Sequence, residues 1–291
     1  MANNTASAPK SAPKKSEGFT GIKSGLTVII LCWILAECIY VFGAGHLSNF
    51  NATMPEDAGF FAKNFHFFCG QELDPAGIVG TVYKGGLIVP IIWSMLLTVL
   101  ALAIERFFAI KTAYGKNALP KFVAEIKKAL AAHDLDKAQQ ICDAQKGSVA
   151  NVVGATLKAY REAEADSTLS KEQKVLAIQK ELEEATALEM PMLQENLPII
   201  GTIVTLGTLT GLLGTVLGMI KSFSAMGTEG SADSSALSVG ISEALVNTAS
   251  GIATGALAVI SYNYFTNKID RLTFALDEVG FSIVSTFNAT H

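Results

Sequence analysis

Of 291 residues, half are hydrophobic and 16% charged, with mean hydropathy +0.38, which excludes an ordinary soluble domain and points to an integral membrane protein. A net charge of −4 and a pI near 5.6 argue against a nucleic-acid partner, because neutralising phosphates takes a concentrated basic surface. The four cysteines, Cys32, Cys38, Cys69 and Cys142, are scattered and make neither a disulfide framework nor a metal cluster.

In chain order, residues 1–24 are rich in Ala, Ser, Pro and Lys, too poor in apolar side chains to pack, and read as a disordered basic tail. Residues 25–45 are apolar apart from Glu37. They are either a spanning helix or a signal sequence: the long leader and the internal acid favour the helix, whereas Gly43-Ala44-Gly45 has the character of a cleavage site. At ~1.5 Å per residue, Glu37 lies about 18 Å along this helix, near mid-membrane. An acid there is either a proton handler or bonded to a neighbour such as Ser94 or Thr98. Residues 46–84 form an outer loop, mostly acidic and punctuated by Gly and Pro, with a Phe-dense run from Phe60 to Phe68 suited to the headgroup zone or a packed cap. Within it His66 and Cys69 offer too few ligands for a metal.

Residues 85–108 are a second span, with Pro90 tolerable in its first turns and Glu105-Arg106 where the chain should meet water. Residues 109–196 are charged, with apolar residues at helical spacing (Val123, Ile126, Leu130; Val175, Ile178, Leu182), and form a helical domain. Asp134 should cap one helix, Gly147 end it, Ser148 cap the next, and Ser170 with Gln173 make a capping box for a third, which Pro191 and Pro198 interrupt or bend. Residues 197–221 and 243–266 are two further spans joined by a loop, 222–242, and residues 267–291 close the chain as a helix or tail. Lys and Arg concentrate in the tail, around Arg106 to Lys121, and at Lys268 and Arg271, which makes those segments cytoplasmic. The fold class is therefore all-α: four spans with both termini inside and a cytoplasmic helical domain.

The last two spans carry no charged residue from Leu197 to Ile220 or from Ala244 to Asn267, yet they are full of Gly, Thr, Ser and Asn. Gly207, Gly211, Gly214 and Gly218 stack on one face, where another backbone can approach closely. Thr208 and Thr215 share a second face, for a bond to a backbone carbonyl or for lining a pore. Glu243, Asn247, Ser250 and Thr254 form a polar stripe beside a small-residue stripe of Ala244, Thr248, Gly251 and Gly255. A polar stripe in a membrane helix belongs inside an assembly, and one hairpin encloses no path, so several copies or a partner must fill the middle. Lys221 and Glu243 reach similar depth and either pair or snorkel separately. No Gly-x4-Gly-Lys-Ser/Thr loop is present; the reading is not enzymatic and calls for no cofactor.

At Leu212-Leu-Gly-Thr215-Val-Leu-Gly218-Met-Ile and Gly240-Ile-Ser-Glu243-Ala-Leu-Val-Asn-Thr248-Ala, the sequence resembles the MotA/TolQ/ExbB proton-channel family, most closely the ExbB branch. The resemblance extends to the Ile-Glu-Arg-Phe that ends the second span. It implies a pentamer in the bacterial inner membrane, a dimer of single-span ExbD-like subunits inside the pore, and proton flow driving work on a TonB-like protein for outer-membrane transport. Carried over, Thr215 matches the family's pore-lining threonine, and Glu243 and Thr248 the acid and threonine of its last span. The extra first span, Asn247 and Lys221 depart from the usual pattern. The hairpin holds no deep acid of its own, so a partner's carboxylate would complete the path. A TolQ-like or motility stator, a stand-alone small-solute channel or transporter, and a membrane scaffold are the alternatives.

Overall fold

A computed structural model describes residues 24–51, 58–69, 73–228 and 234–290. Most of the basic tail, and Glu229 and Asp233 of the last loop, lie outside these residues. No strand occurs among the described residues. The helices are α1 (Gly25–Cys38), α2 (Phe60–Asn64), α3 (His66–Cys69), α4 (Ile78–Lys84), α5 (Ile88–Tyr114), α6 (Leu119–Ala131), α7 (Leu135–Gln145), α8 (Ser148–Ala165), α9 (Lys171–Gln194), α10 (Leu197–Thr228) and α11 (Ser234–Thr290). Four helical stretches are long and apolar enough to cross a membrane, so this is an all-α, multi-pass membrane protein.

The described residues of Gly21–Ile110 and Pro191–Asp270 make one unit, and those of Lys111–Met190 and Arg271–His291 a second. In the first, α1 continues as a widened π-helical stretch, Ile39–Ala44, closed by a Gly45 N–H to Tyr40 carbonyl bond of 2.9 Å. The segment between the first two spans folds onto this end: Tyr40, Ala44, Phe50, Tyr83 and Val89 form a buried cluster, with Tyr40 and Tyr83 stacked at 4.7 Å. Of the two settings the Phe-dense run suits, Phe60, Phe61 and Phe67 stay outside the cap, exposed.

Polar residues on the spanning helices largely satisfy themselves. Ser94 donates to the Ile91 carbonyl (2.7 Å), Thr98 to Ser94 (2.7 Å), Thr202 to Pro198 (2.8 Å), Ser222 to Gly218 (2.9 Å) and Thr254 to Ser250 (2.9 Å). Ser94 and Thr98 thus spend their protons on their own helix rather than on Glu37.

The second unit has a core of aliphatic and aromatic faces from α6, α7, α8, α9 and the end of α11, among them Phe122, Ile126, Leu157, Ile178, Leu272 and Phe287. Asp134 caps α7 by accepting from the Lys137 N–H at 2.9 Å. Ser170 and Gln173 bond each other's backbone N–H reciprocally, at 2.9 and 3.3 Å. Two expectations change. Ser148 is the first residue of α8 and not its cap; that position belongs to Gly147, at φ 87, because the chain must reverse tightly between α7 and α8. Pro191 does not interrupt α9, which runs on to Gln194; the break falls at Asn196, at φ 64, before Pro198 in the first turn of α10. Further on, α11 runs unbroken through Asn267 to Thr290, because the change from apolar to charged residues alters the surroundings and not the helix.

Burial pushes the Cys142 thiol up to about 12, with Asp143 adding to the shift. A folded pKa above the ordinary 9.0 means that this contribution to stability is full below pH 9.0 and is lost as pH rises towards 12. Native Cys142 is therefore expected to alkylate with iodoacetamide at pH 8 at least about tenfold more slowly than the urea-unfolded chain. Equal rates by mass spectrometry would contradict its burial.

Candidate functional site

The two hairpin helices meet along their glycines. A Cβ on Gly207 would stand 3.3 Å from the Gly255 nitrogen, one on Gly211 3.0 Å from Gly251 Cα, one on Gly214 2.6 Å from Asn247 Cβ, and one on Gly218 2.9 Å from Ala244 Cβ. From the other side, a Cβ on Gly251 would stand 2.6 Å from the Gly207 carbonyl oxygen and one on Gly255 2.7 Å from the Thr208 hydroxyl. At Gly211 and Gly251 backbone meets backbone with no side chain between, so short polar groups on one helix reach the other.

Thr215 and Thr248 use that closeness. Their hydroxyls bond each other across the seam; Thr248 also donates to the Gly211 carbonyl (3.3 Å), and Thr215 approaches the Ala244 carbonyl (3.4 Å). Both are half-buried. Thr215 and Ser224 also line an open groove of about 600 Å³ walled by Leu212, Val216, Met219, Ile220 and Phe223, an apolar surface with two hydroxyls.

The polar stripe of α11 does not act as one face. Asn247 is 2% exposed and Thr254 0%, both packed against α10 glycines, while Ser250 stays half-buried. Asn247 donates through Nδ2 to the Gly85 carbonyl at 3.1 Å, in the turn before α5. Periodicity placed these residues together but could not reveal that the protomer itself covers two of them.

Glu243 is 6% exposed, with its Oε2 3.7 Å from Lys221 Nζ. The lysine side chain is 71% exposed, so solvent screens the attraction and the coupling is expected at about 0–1 kcal/mol. A double-mutant cycle with Lys221→Gln and Glu243→Gln measures it; coupling above about 2 kcal/mol would mean a desolvated pair instead. Glu37 lies half-buried on α1.

One cluster escaped the sequence. Glu105 and Arg106, expected at the water boundary, are 5% and 0% exposed. Arg106 grips Glu105 in a bidentate pair, Nε to Oε2 at 2.6 Å and Nη2 to Oε1 at 2.5 Å. Its Nη1 donates to the Met192 (2.9 Å) and Leu193 (3.3 Å) carbonyls, which end α9 and lack helical partners. An adjacent Glu-Arg after an apolar run signals a boundary; the carbonyls, 86 and 87 residues away, leave no local trace.

Comparison with known proteins gives this hairpin a context. Residues 148–278 match the MotA/TolQ/ExbB proton channel family. An ExbB-like biopolymer transport protein of Synechocystis is 41% identical over 97 residues, 33% of this chain and 46% of that one. The biopolymer transport protein ExbB of Helicobacter pylori is 41% identical over 81 residues (28% and 56%), and the Tol-Pal system protein TolQ of Pseudomonas aeruginosa 35% over 88 (30% and 38%). The matched region thus spans roughly half or less of each relative. Thr215 and Thr248 of the glycine seam, and Glu243 beside it, fall inside the matched stretch, residues 148–278, which is similar to the MotA/TolQ/ExbB proton channel family.

Proposed function

We propose that this protein is the channel-forming subunit of an ExbB–ExbD-type motor in the bacterial inner membrane, with both termini cytoplasmic. It would assemble as a pentamer around a dimer of single-span ExbD-like subunits and pass the work of proton flow to a TonB-like protein for outer-membrane transport. The observation that carries this reading is the Thr215–Thr248 hydroxyl pair, held on a glycine seam between two helices with no charged residue from 197 to 220 or from 244 to 267. Hydroxyls solvate a moving proton but do not store it, so the carrier must be a carboxylate from another chain. Asn247, Ser250 and Thr254 stand behind this face, and Glu243 with Lys221 towards the outer end of the hairpin.

Liposomes containing the chain alone are expected to leak protons no faster than empty ones. Adding a single-span partner with an intramembrane Asp opens the path, and Thr248→Val then slows flux by about tenfold, as the loss of one hydrogen bond to a charged species would. Conduction by the chain alone would overturn the reading in favour of a stand-alone channel. The TolQ likeness supports a second reading, an envelope stator of the Tol type; activation by a Tol-system single-span partner in preference to an ExbD-like one would select it.

A further inference from the structure

Asn247 is not accounted for by the hairpin contact. Its amide is wedged between two backbones: a Cβ on Gly214 would stand 2.6 Å from Asn247 Cβ, and one on Gly85 2.9 Å from Asn247 Oδ1. Nδ2 donates to the Gly85 carbonyl at 3.1 Å. A carbonyl only accepts, so this bond fixes which way round the amide stands. Oδ1 is then the free arm: it is buried, in a residue 2% exposed, and nothing among the described residues donates to it. Buried carbonyl oxygens are nearly always satisfied, and in a polar interior the usual donor is a bound water.

Polar groups border this interior. Glu243 precedes Asn247 by one helical turn on the same face and is itself buried. Tyr40 donates its hydroxyl to the Tyr83 carbonyl, two residues before Gly85. Glu37 and Glu243 both lie within electrostatic reach of that hydroxyl. Lys221 meets Glu243 through Oε2, 3.7 Å away. The turn from Tyr83 to Gly85 therefore joins the Tyr40 phenol to Asn247 of α11 through two backbone carbonyls, those of Tyr83 and Gly85.

We propose that Asn247 Oδ1 marks a water site inside the protomer, between the Tyr40 hydroxyl and the Glu243 carboxylate, by which protons reach Glu243 without crossing the threonine face. A proton arriving on this water as hydronium passes to a Glu243 carboxylate oxygen, leaving a neutral carboxyl and a neutral water. The route's purpose rests on the proton-channel reading; the site's existence does not.

Water-edited solid-state NMR on the lipid-reconstituted full chain, labelled with ¹⁵N-asparagine, tests the site without any variant. Magnetisation from water is expected to reach the Asn247 side-chain NH₂ as quickly as that of exposed Asn117 and Asn267. Build-up far slower than theirs would mean a dry Asn247 and overturn the inference. In liposomes with the single-span partner, Asn247→Leu is expected to cut proton flux by about tenfold, with Asn247→Asp, which keeps an acceptor oxygen, restoring most of it. Tyr40→Phe, which keeps the stacked ring, reports on the far side of the site and should lower flux in the same direction. Wild-type flux in Asn247→Leu would overturn the route. If the wild type itself never conducts, the motor reading fails, and the NMR result still decides whether Asn247 holds water.

Discussion

Replacing Arg106 by glutamine is expected to lower the stability of the purified protein by about 3–5 kcal/mol, because the change removes one half of a buried ion pair. Three losses coincide. Glu105, 5% exposed, keeps its charge without its bidentate partner, and the Met192 and Leu193 carbonyls lose their donor. Exposed ion pairs such as Lys121–Glu125 contribute at most about 1 kcal/mol, since water screens both partners. Here burial keeps bulk water from taking over. The double change Glu105→Gln/Arg106→Gln should recover part of the loss, since a neutral amide pair leaves no orphaned charge. Arg106→Lys should not, because an ammonium cannot bond both carboxylate oxygens and two carbonyls in one plane. Chemical denaturation followed by circular dichroism measures all three. If the single glutamine variant came within about 1 kcal/mol of wild type, the pair would be solvated and the clamp would not exist.

The second large effect is expected at the hairpin seam. Gly251→Ala sets two terms against each other: alanine gains about 1 kcal/mol in helix propensity, and its methyl collides with the opposite helix. The methyl would lie 2.6 Å from the Gly207 carbonyl oxygen, 2.7 Å from Gly211 Cα and 3.0 Å from the Gly211 nitrogen. All three are backbone atoms and cannot rotate away, so the collision wins, and the helices must separate at a net cost of about 1–3 kcal/mol. Separation also parts Thr215 from Thr248, so proton flux should fall even where the protein remains folded. Gly59→Ala, with nothing within 4 Å of the added atom, serves as the control and should change stability by under about 0.5 kcal/mol. A stabilised Gly251→Ala would mean that the seam is loose.

How much of this could be read from the chain follows from the range of the forces involved. The spans are legible because a membrane helix writes its burial as an unbroken apolar run, and the four long apolar helices answer to the four runs in the sequence. The capping box at Ser170 and Gln173 is legible because donor and acceptor lie three residues apart. The glycine row on α10 announced a close approach, and that approach is to α11 of the same chain. What stayed hidden depends on distant partners. Asn247 finds Gly85 across 162 residues, and Arg106 finds the end of α9 across 86. Pro191 stays inside α9 for a related reason: whether a proline ends a helix depends on packing around it, and that has no local signature.

The self-bonding hydroxyl of Thr202, exposed on α10, has a bearing on how lipid meets such a protein. A hydroxyl whose hydrogen is already committed to its own helix presents little more than a methyl-sized bump to an acyl chain, so hydropathy scales that score it as polar overstate its aversion to oil. Threonine can therefore be scattered over the outer surface of these spans at little penalty. The groups that truly resist hydrocarbon are those with unspent hydrogen-bonding capacity, and they sort themselves to the inside.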